Sequence, residues 1–356
     1  MSVVRPFAAR VVRQDCARQA VTALSDSLDE NGTDPAPVAV DPTAYDESAA
    51  ALYVYRQHRD DVSHTGVVCE VAIQAFADGR VRGHEAVHTQ RVEALVQRGA
   101  TTTAPPALVT LLHRAGAAFM ETVDATCRMP PILDFVGPGG FQQTVWRVAE
   151  GPATAAVTQE LAAADHYIAD GHHRVAAAIE DWRLGGEPPE AGLLCVVHPL
   201  GDLRLSAFHR RVTGPVDPAD LIGLLTTGFQ VRAVPEPPAP TLGSFGLYVG
   251  RSWFDVRYPG SRGSGTSGLD AAILHTRVLE RLSQLAPGPS YTVEIAPART
   301  SVDELTGRCD ADGGALFTLA PPPLEALTRL ADAGEVMPPK TTYFEPKPCA
   351  GIFLRS

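Results

Sequence analysis

The stretch from His166 to Trp182 limits what this chain can fold into more than any other. His166-Tyr167-Ile168-Ala169 is strand-like, Asp170-Gly171 follows, and VAAAIEDW (175–182) is rich in helix formers. Glycine enters backbone conformations closed to other residues. The order therefore predicts a strand, a sharp turn at Gly171 and a helix, and with strands and helices interspersed elsewhere the chain reads as α/β, mixed α+β. Asp170, His172, His173 and Arg174 crowd the junction. A helix N-terminus offers N–H groups without intrahelical partners and the positive end of a dipole. With His and Arg added, it becomes an anion site, most naturally for phosphate. Asp170 then has two chemical uses, as a base toward a hydroxyl or as a Mg²⁺ ligand. The plain alternative is an aspartate that caps the helix ahead of a solvated first turn.

The 356 residues suit about two domains at roughly 150 residues each. Apolar residues make up 45% and charged residues 20%, which is a globular composition. The net charge of −11 argues against nonspecific nucleic-acid binding, which needs a basic surface. It leaves room for a local basic pocket. No two of the six cysteines lie closer than 40 residues, so a cysteine zinc site or redox pair is not expected, and a reducing cytoplasm fits. The N-terminus has no secretory h-region and no run approaches 18 apolar residues, so no membrane contact is expected.

Residues 26–48, acidic and proline-containing, read as a long surface loop. Strands are expected at 66–76, 141–148, 192–198, 203–209 and 315–319, and a short apolar strand or buried turn at 107–113. Helices are expected from Thr89 to Arg98 and at 153–164, 217–227, 269–285 and 324–333, with a hairpin at 245–258. AVPEPPAPTLG (233–243) is the best linker and suggests domains at 1–232 and 244–356, with the C-terminal tail returning to the core.

Other motifs have two readings each. His84-Glu85-Ala86-Val87-His88 matches H-E-x-x-H, in which a helix aligns two zinc ligands with a glutamate base. Gly83 and a turn just upstream favour a strand end or helix start instead. Arg56-Gln57 ends a strand and offers a guanidinium to a pocket rim, or to solvent. Phe208-His209-Arg210-Arg211 ends another strand with three cationic or titratable groups, for a site or as a solvated edge. Lys340-Thr341-Thr342-Tyr343, after Met337-Pro338-Pro339, has the groups to hold phosphate but lacks a glycine-rich frame. No GxGxxG, GxxxxGK[ST] or GxSxG occurs, which removes the main support for Rossmann, Walker and α/β-hydrolase readings.

Together the segments YRQ (55–57), GHE (83–85), YIADGHHRVAAA (167–178), FHRRV (208–212), LDAAILH (269–275) and MPPKTTYFEPK (337–347) resemble the DUF1015 family from about residue 50 to the C-terminus. The DGHHR turn is similar to that of free-serine kinases with a ParB/sulfiredoxin-like fold. The resemblance implies such a core with added N- and C-terminal elements. It implies Asp170 as base or metal-associated carboxylate, and phosphate binding by Gly171, His172, His173 and Arg174. Glu85 is the candidate for a second, upstream acidic residue that acts in catalysis or on the metal. The family's usual Thr two residues after HE is Val87 here.

The expectation is thus a cytoplasmic phosphotransferase acting on a small amino acid, free L-serine first, with Mg²⁺ and ATP or another nucleotide. Asp170 and Glu85 would be catalytic and metal-associated. Gly171, His172, His173, Arg174, Arg56, Gln57, His84, His209, Arg210 and Lys340 would bind nucleotide or phosphate. A homodimer is one assembly open to it. Two other readings stand beside this one: a non-catalytic, ParB-like nucleotide switch, and a zinc hydrolase through His84, Glu85 and His88.

Overall fold

The structure is a computed structural model describing residues 3–27, 40–101, 107–263, 265–285, 291–297 and 299–355. The chain divides into two compact units. The first comprises Met1–Gly83, Val87–Arg204 and Pro346–Ser356, and the second His84–Ala86 and Leu205–Glu345. Both combine strands and helices, so the fold is mixed α/β.

The first unit contains β1 (Val4–Arg5), β2 (Phe7–Val12), α1 (Ala17–Ser27), β3 (Tyr45–Ala51), β4 (Tyr53–Arg59), β5 (Val62–Ala72), α2 (Ile73–Ala77), β6 (Val81–Arg82) and α3 (Thr89–Thr101). It continues with β7 (Val109–His113), α4 (Ala117–Cys127), β8 (Leu133–Val136), β9 (Gln142–Arg147), α5 (Pro152–Ala163), β10 (His166–Asp170), α6 (His172–Leu184) and β11 (Gly192–Pro199). Its main sheet has the order β6-β10-β7-β11-β5-β4-β9-β8, with β1 beside β5. The pairs β6–β10 and β7–β11 are parallel.

The centre of this sheet is buried on both faces. Val67, Val68, Cys69 and Val71 of β5 are wholly enclosed, which is why the segment is a nearly continuous apolar run rather than an alternating one. One face packs Val54, Val67, Cys69, Phe119, Trp146 and Ile168 into a core. The other packs Tyr53, Tyr55, Val68, Leu133, Val196 and Phe353.

Of the loop expected over 26–48, residues 28–39 lie outside the described residues. The rest departs from expectation, because Tyr45–Ala51 is strand β3, paired with β2. It lies at the edge of its three-stranded sheet. Asp46 and Glu47 therefore face solvent, and acidic residues do not preclude a strand there.

The second unit contains all but the first residue of β12 (Arg204–Ser206), then β13 (Phe208–Thr213), α7 (Pro218–Thr226), β14 (Gln230–Val234), β15 (Ser244–Val249) and β16 (Ser252–Arg257). After them come α8 (Asp270–Leu274), α9 (Glu280–Leu285), β17 (Thr292–Pro297), α10 (Val302–Asp312), β18 (Ala315–Leu319), α11 (Leu324–Asp332) and β19 (Tyr343–Glu345). Its six-stranded sheet runs β14-β16-β15-β18-β13-β17. The proline-rich segment 233–243 joins β14 to β15 inside this unit, and both strands pair with β16. The helix expected over 269–285 is interrupted by a wider turn at His275–Leu279. The final strand, β20 (Phe353–Arg355), pairs with β2 and ties the C-terminus into the first unit.

His113, at the end of β7, is fully buried against Phe119 and His166, with ring centroids 4.5 and 5.8 Å away. Neither ring nitrogen has a hydrogen-bond partner in the protein. Burial, with His166 and His198 adding to it, pushes its pKa down to about 3. An unfolded chain protonates this histidine below about pH 6.5, and the folded chain does not. Stability is therefore full above that pH and is lost as the pH falls from there toward 3. Urea midpoints should drop between about pH 7.5 and about pH 5, and drop less in His113→Phe than in the wild type. Equal losses in the two proteins would clear His113.

Candidate functional site

β10 ends in an irregularity. Its register against β7 shifts between Ile168 and Asp170, which re-aims the last side chain. Gly171 follows with φ +106°, a left-handed conformation that L side chains rarely adopt, and α6 begins at His172. The strand, turn and helix expected from the sequence are all present. Asp170 stands opposite Thr110, whose buried hydroxyl has no hydrogen-bond partner in the protein.

Asp170 lies between two cations. Arg174 Nη2 reaches its Oδ2 at 2.5 Å, and Lys347 Nζ reaches its Oδ1 at 3.2 Å. Burial works to raise the Asp170 pKa, but Lys347 and Arg174 outweigh it and hold the carboxyl well below the usual carboxylate range. Asp170 is therefore ionised throughout the physiological range. The cap position of α6 is taken by Gly171 rather than by Asp170. Arg174 is also fixed from behind, donating to the carbonyls of Ala107 and Leu108.

The two histidines of the turn differ. His172 is buried against the backbone of Gly83, where an added Cβ would come within 3.2 Å of its ring. Burial lowers its pKa to about 4, with Asp170 opposing and His173 and Arg174 assisting, so its ring is neutral at pH 7. His173 accepts the backbone N–H of His88 through Nε2 at 3.1 Å, and the two imidazoles stack at 5.8 Å. The cationic groups flanking Asp170 are thus Arg174 and Lys347, and the imidazole of His172 adds no charge at neutral pH.

Lys347 lies in the tail motif, but no local pattern in the sequence marks it as a site residue. Pro346 and Pro348 flank it and set the local backbone. Gln57 donates to its carbonyl at 3.0 Å, and the Tyr55 hydroxyl accepts the N–H of Cys349 at 3.2 Å. Tyr55 and Gln57 share one face of β4, because successive strand side chains alternate. Arg56 points to the other face, with its guanidinium 5.1 Å above Trp146 and Nε on the Thr65 hydroxyl at 3.1 Å. Arg56 and Gln57 therefore do not line one pocket. The YRQ segment anchors the tail.

The remaining expected residues form a second group, inside the second unit. His84, fully buried, bonds Thr342 through Nε2 at 2.9 Å. Glu85 accepts the backbone N–H of Lys340 at 3.3 Å, and Met337 N–H bonds the His84 carbonyl at 2.7 Å. Arg210 is buried and donates to the Lys340 carbonyl at 2.9 Å. Burial lowers its pKa to about 10, with Glu85 opposing. Lys340 has φ +58° and places Nζ 5.2 Å from the Phe208 ring. His209 accepts the Leu319 N–H at 3.3 Å, and burial lowers its pKa to about 4.

His84–His88 is not helical; α3 starts only at Thr89. Four-residue spacing aligns two ligands only on a helix, so the H-E-x-x-H pattern does not form a zincin site. Among the described residues, no group of three His, Cys, Asp or Glu side chains could hold a metal. Both oxygens of Asp170 face cations. This donor set does not fit a protein-held Mg²⁺.

The family model described as protein of unknown function (DUF1015) matches residues 44–282, well over half the chain. The chain belongs to that family. No curated protein matches it. Among solved structures, it is similar to a free serine kinase variant in complex with AMP, with 16% identity, 80% of this chain and 90% of that chain covered, and a TM-score of 0.43. It is similar to a conserved hypothetical protein from Pyrococcus furiosus at 16% identity, 82% and 95% coverage, and a TM-score of 0.41. It is also similar to SbnI with a C-terminal truncation from Staphylococcus aureus at 12% identity, 81% and 87% coverage, and a TM-score of 0.42. No helix among the described residues is long and apolar enough to cross a membrane.

A Cβ at position 171 would need left-handed backbone and would sit 3.1 Å from Arg174 Nη2. Gly171→Ala should therefore cost about 1–2 kcal/mol in urea unfolding. An unchanged midpoint would show that the turn tolerates a side chain.

Proposed function

We propose that this protein is a nucleotide-dependent phosphotransferase whose acceptor is the hydroxyl of a small amino acid, with free L-serine the first candidate. The observation that carries the reading is Asp170, an ionised carboxylate at a strand end, presented by a left-handed glycine beside a helix N-terminus and two cations. Phosphoryl transfer asks little covalent chemistry of a protein. It needs positive groups around the phosphates and a carboxylate positioned for the acceptor proton. The first turn of α6, Arg174 and Lys347 supply the former, and Asp170 the latter. The acceptor class comes from the likeness of the DGHHR turn to that of free-serine kinases.

In this reading the nucleotide's terminal phosphate binds at the first turn of α6, where helix N–H groups and the dipole favour an anion. The acceptor hydroxyl lies against Asp170, which takes its proton as oxygen attacks phosphorus. Glu85, by its upstream position, is the candidate for a second acidic role. The donor nucleotide is ATP or a relative, and the assembly, a homodimer among the options, follows from solution measurement.

Asp170→Asn keeps the shape and removes the proton acceptor. Transfer to serine should fall about 10²–10⁴-fold, while the folded protein still binds nucleotide. Near-normal turnover by folded Asp170→Asn would remove Asp170 as the base and shift weight to Glu85. A wild type that binds nucleotide yet phosphorylates no small hydroxyl compound would instead be a nucleotide switch.

A further inference from the structure

Thr110 interrupts an apolar strand. Val109, Leu111 and Leu112 of β7 are buried hydrophobic residues. Thr110 among them is 1% exposed, and its hydroxyl has no hydrogen-bond partner in the protein. A buried hydroxyl left unpaired is destabilising, and valine would fill nearly the same space without it.

The sheet register puts this hydroxyl on the same face as the Asp170 carboxylate. Val109 and Leu111 face one core and Leu108 the other, so by alternation Thr110 faces the second core, which includes Cys349 and Phe353 of the tail. Val196, its neighbour in β11, packs in that second core too. Ile168 faces the first core, and plain alternation would send Asp170 after it. The register shift sets two steps of β10 against one of β7, which turns Asp170 to the face of Thr110. Inward from β10, the row on that face reads Asp170, Thr110, Val196, Val68. Asp170 is one-quarter exposed and the two valines are wholly enclosed. Thr110 therefore stands where a charged rim meets an apolar interior.

A ligand can meet Asp170 with both cations in place. A carboxylate accepts about four hydrogen bonds, and Arg174 and Lys347 face one oxygen each. Opposed residues of an antiparallel pair have Cβ atoms about 4.5–5.5 Å apart. A small hydroxyl that donates to Asp170 thus comes within reach of Thr110, whose O–H rotates to suit its partner.

We propose that Thr110 is a second acceptor-contacting residue, its hydroxyl donating to the oxygen whose proton Asp170 takes. The inference rests on the phosphotransferase reading of this site. One lone pair of the acceptor oxygen receives the Thr110 hydrogen bond and the other attacks phosphorus. The acceptor proton passes to Asp170, and the bond from phosphorus to the nucleotide's bridging oxygen breaks, with its electron pair kept by the nucleotide. Thr110 keeps its own proton throughout. Its part is to orient the attacking oxygen and to favour an alcohol over a methyl group, which would leave the threonine hydroxyl unpaired.

The test uses the full chain, with L-serine and L-alanine as calorimetric probes in the presence of ADP, and ATP with serine for turnover. The wild type should bind serine in preference to alanine. Thr110→Val should cut that preference about 2- to 12-fold, as expected for one neutral hydrogen bond, and lower kcat/KM for serine at least as much. Its urea midpoint should equal or exceed that of the wild type, a combination that a merely structural threonine would not give. Thr110→Ser, which keeps the hydroxyl, should retain the preference, and Thr110→Ala is the second variant should Thr110→Val misfold. Wild-type preference and turnover in a folded Val or Ala variant overturn the inference and leave the kinase reading standing if wild-type transfer is seen. A Thr110→Val midpoint well below the wild type also overturns it, because the hydroxyl would then be bonded within the folded protein. A Thr110-dependent preference for serine without transfer to any hydroxyl keeps the contact and removes the kinase reading. A wild type that neither prefers serine nor phosphorylates any hydroxyl amino acid overturns both.

Discussion

The carboxylate of Asp170, partly buried between Arg174 and Lys347, is the interaction on which this site depends. Its charge survives burial only because two opposite charges lie within bonding distance. Each of the three groups needs its own support. The register shift in β10 and the left-handed Gly171 set the carboxylate. Backbone carbonyls 107 and 108 set the guanidinium. A C-terminal segment between two prolines, fastened to β4 by Gln57 and Tyr55, delivers the ammonium. Residues 57, 170 and 347 are far apart in sequence, and one ion-pair arrangement accounts for all three.

The second unit contains a cluster of its own. Glu85, Arg210 and Lys340 meet through backbone and electrostatic contacts, around a lysine in left-handed backbone. Such strain persists only where surrounding contacts enforce it. Here the Arg210 guanidinium on the Lys340 carbonyl and the Glu85 carboxylate on its N–H supply that enforcement. The H-E-x-x-H pattern also loses its zinc meaning. Its first histidine bonds Thr342, and its last N–H is taken by His173.

The strand–turn–helix at 166–184 was legible because each step had a local cause: apolar strand residues, a glycine, then alanines. The strands at 192–199 and 315–319 and the helices at 152–163 and 324–332 were legible for the same reason. The edge strand at 45–51 was not, since solvent-facing acidic residues resemble a loop. Nor was the place of the prolines at 233–243, because a rigid connection inside a sheet has the composition of a linker. At the site, DGHHR announced itself by crowding polar groups at one turn. Lys347 did not, because its partner is 177 positions away and a single lysine between prolines carries no local pattern. The neutrality of His172 was equally hidden. A histidine beside an arginine suggests positive charge until burial is known.

Purified wild-type protein should be incubated with nucleoside di- and triphosphates against a panel of small hydroxyl amino acids and followed by phosphorus NMR. With serine, a phosphotransferase should give a new phosphomonoester resonance that grows as the donor's terminal phosphate signal declines. Donor consumption with only inorganic phosphate formed, or an unchanged spectrum with every pair, would contradict the phosphotransferase reading.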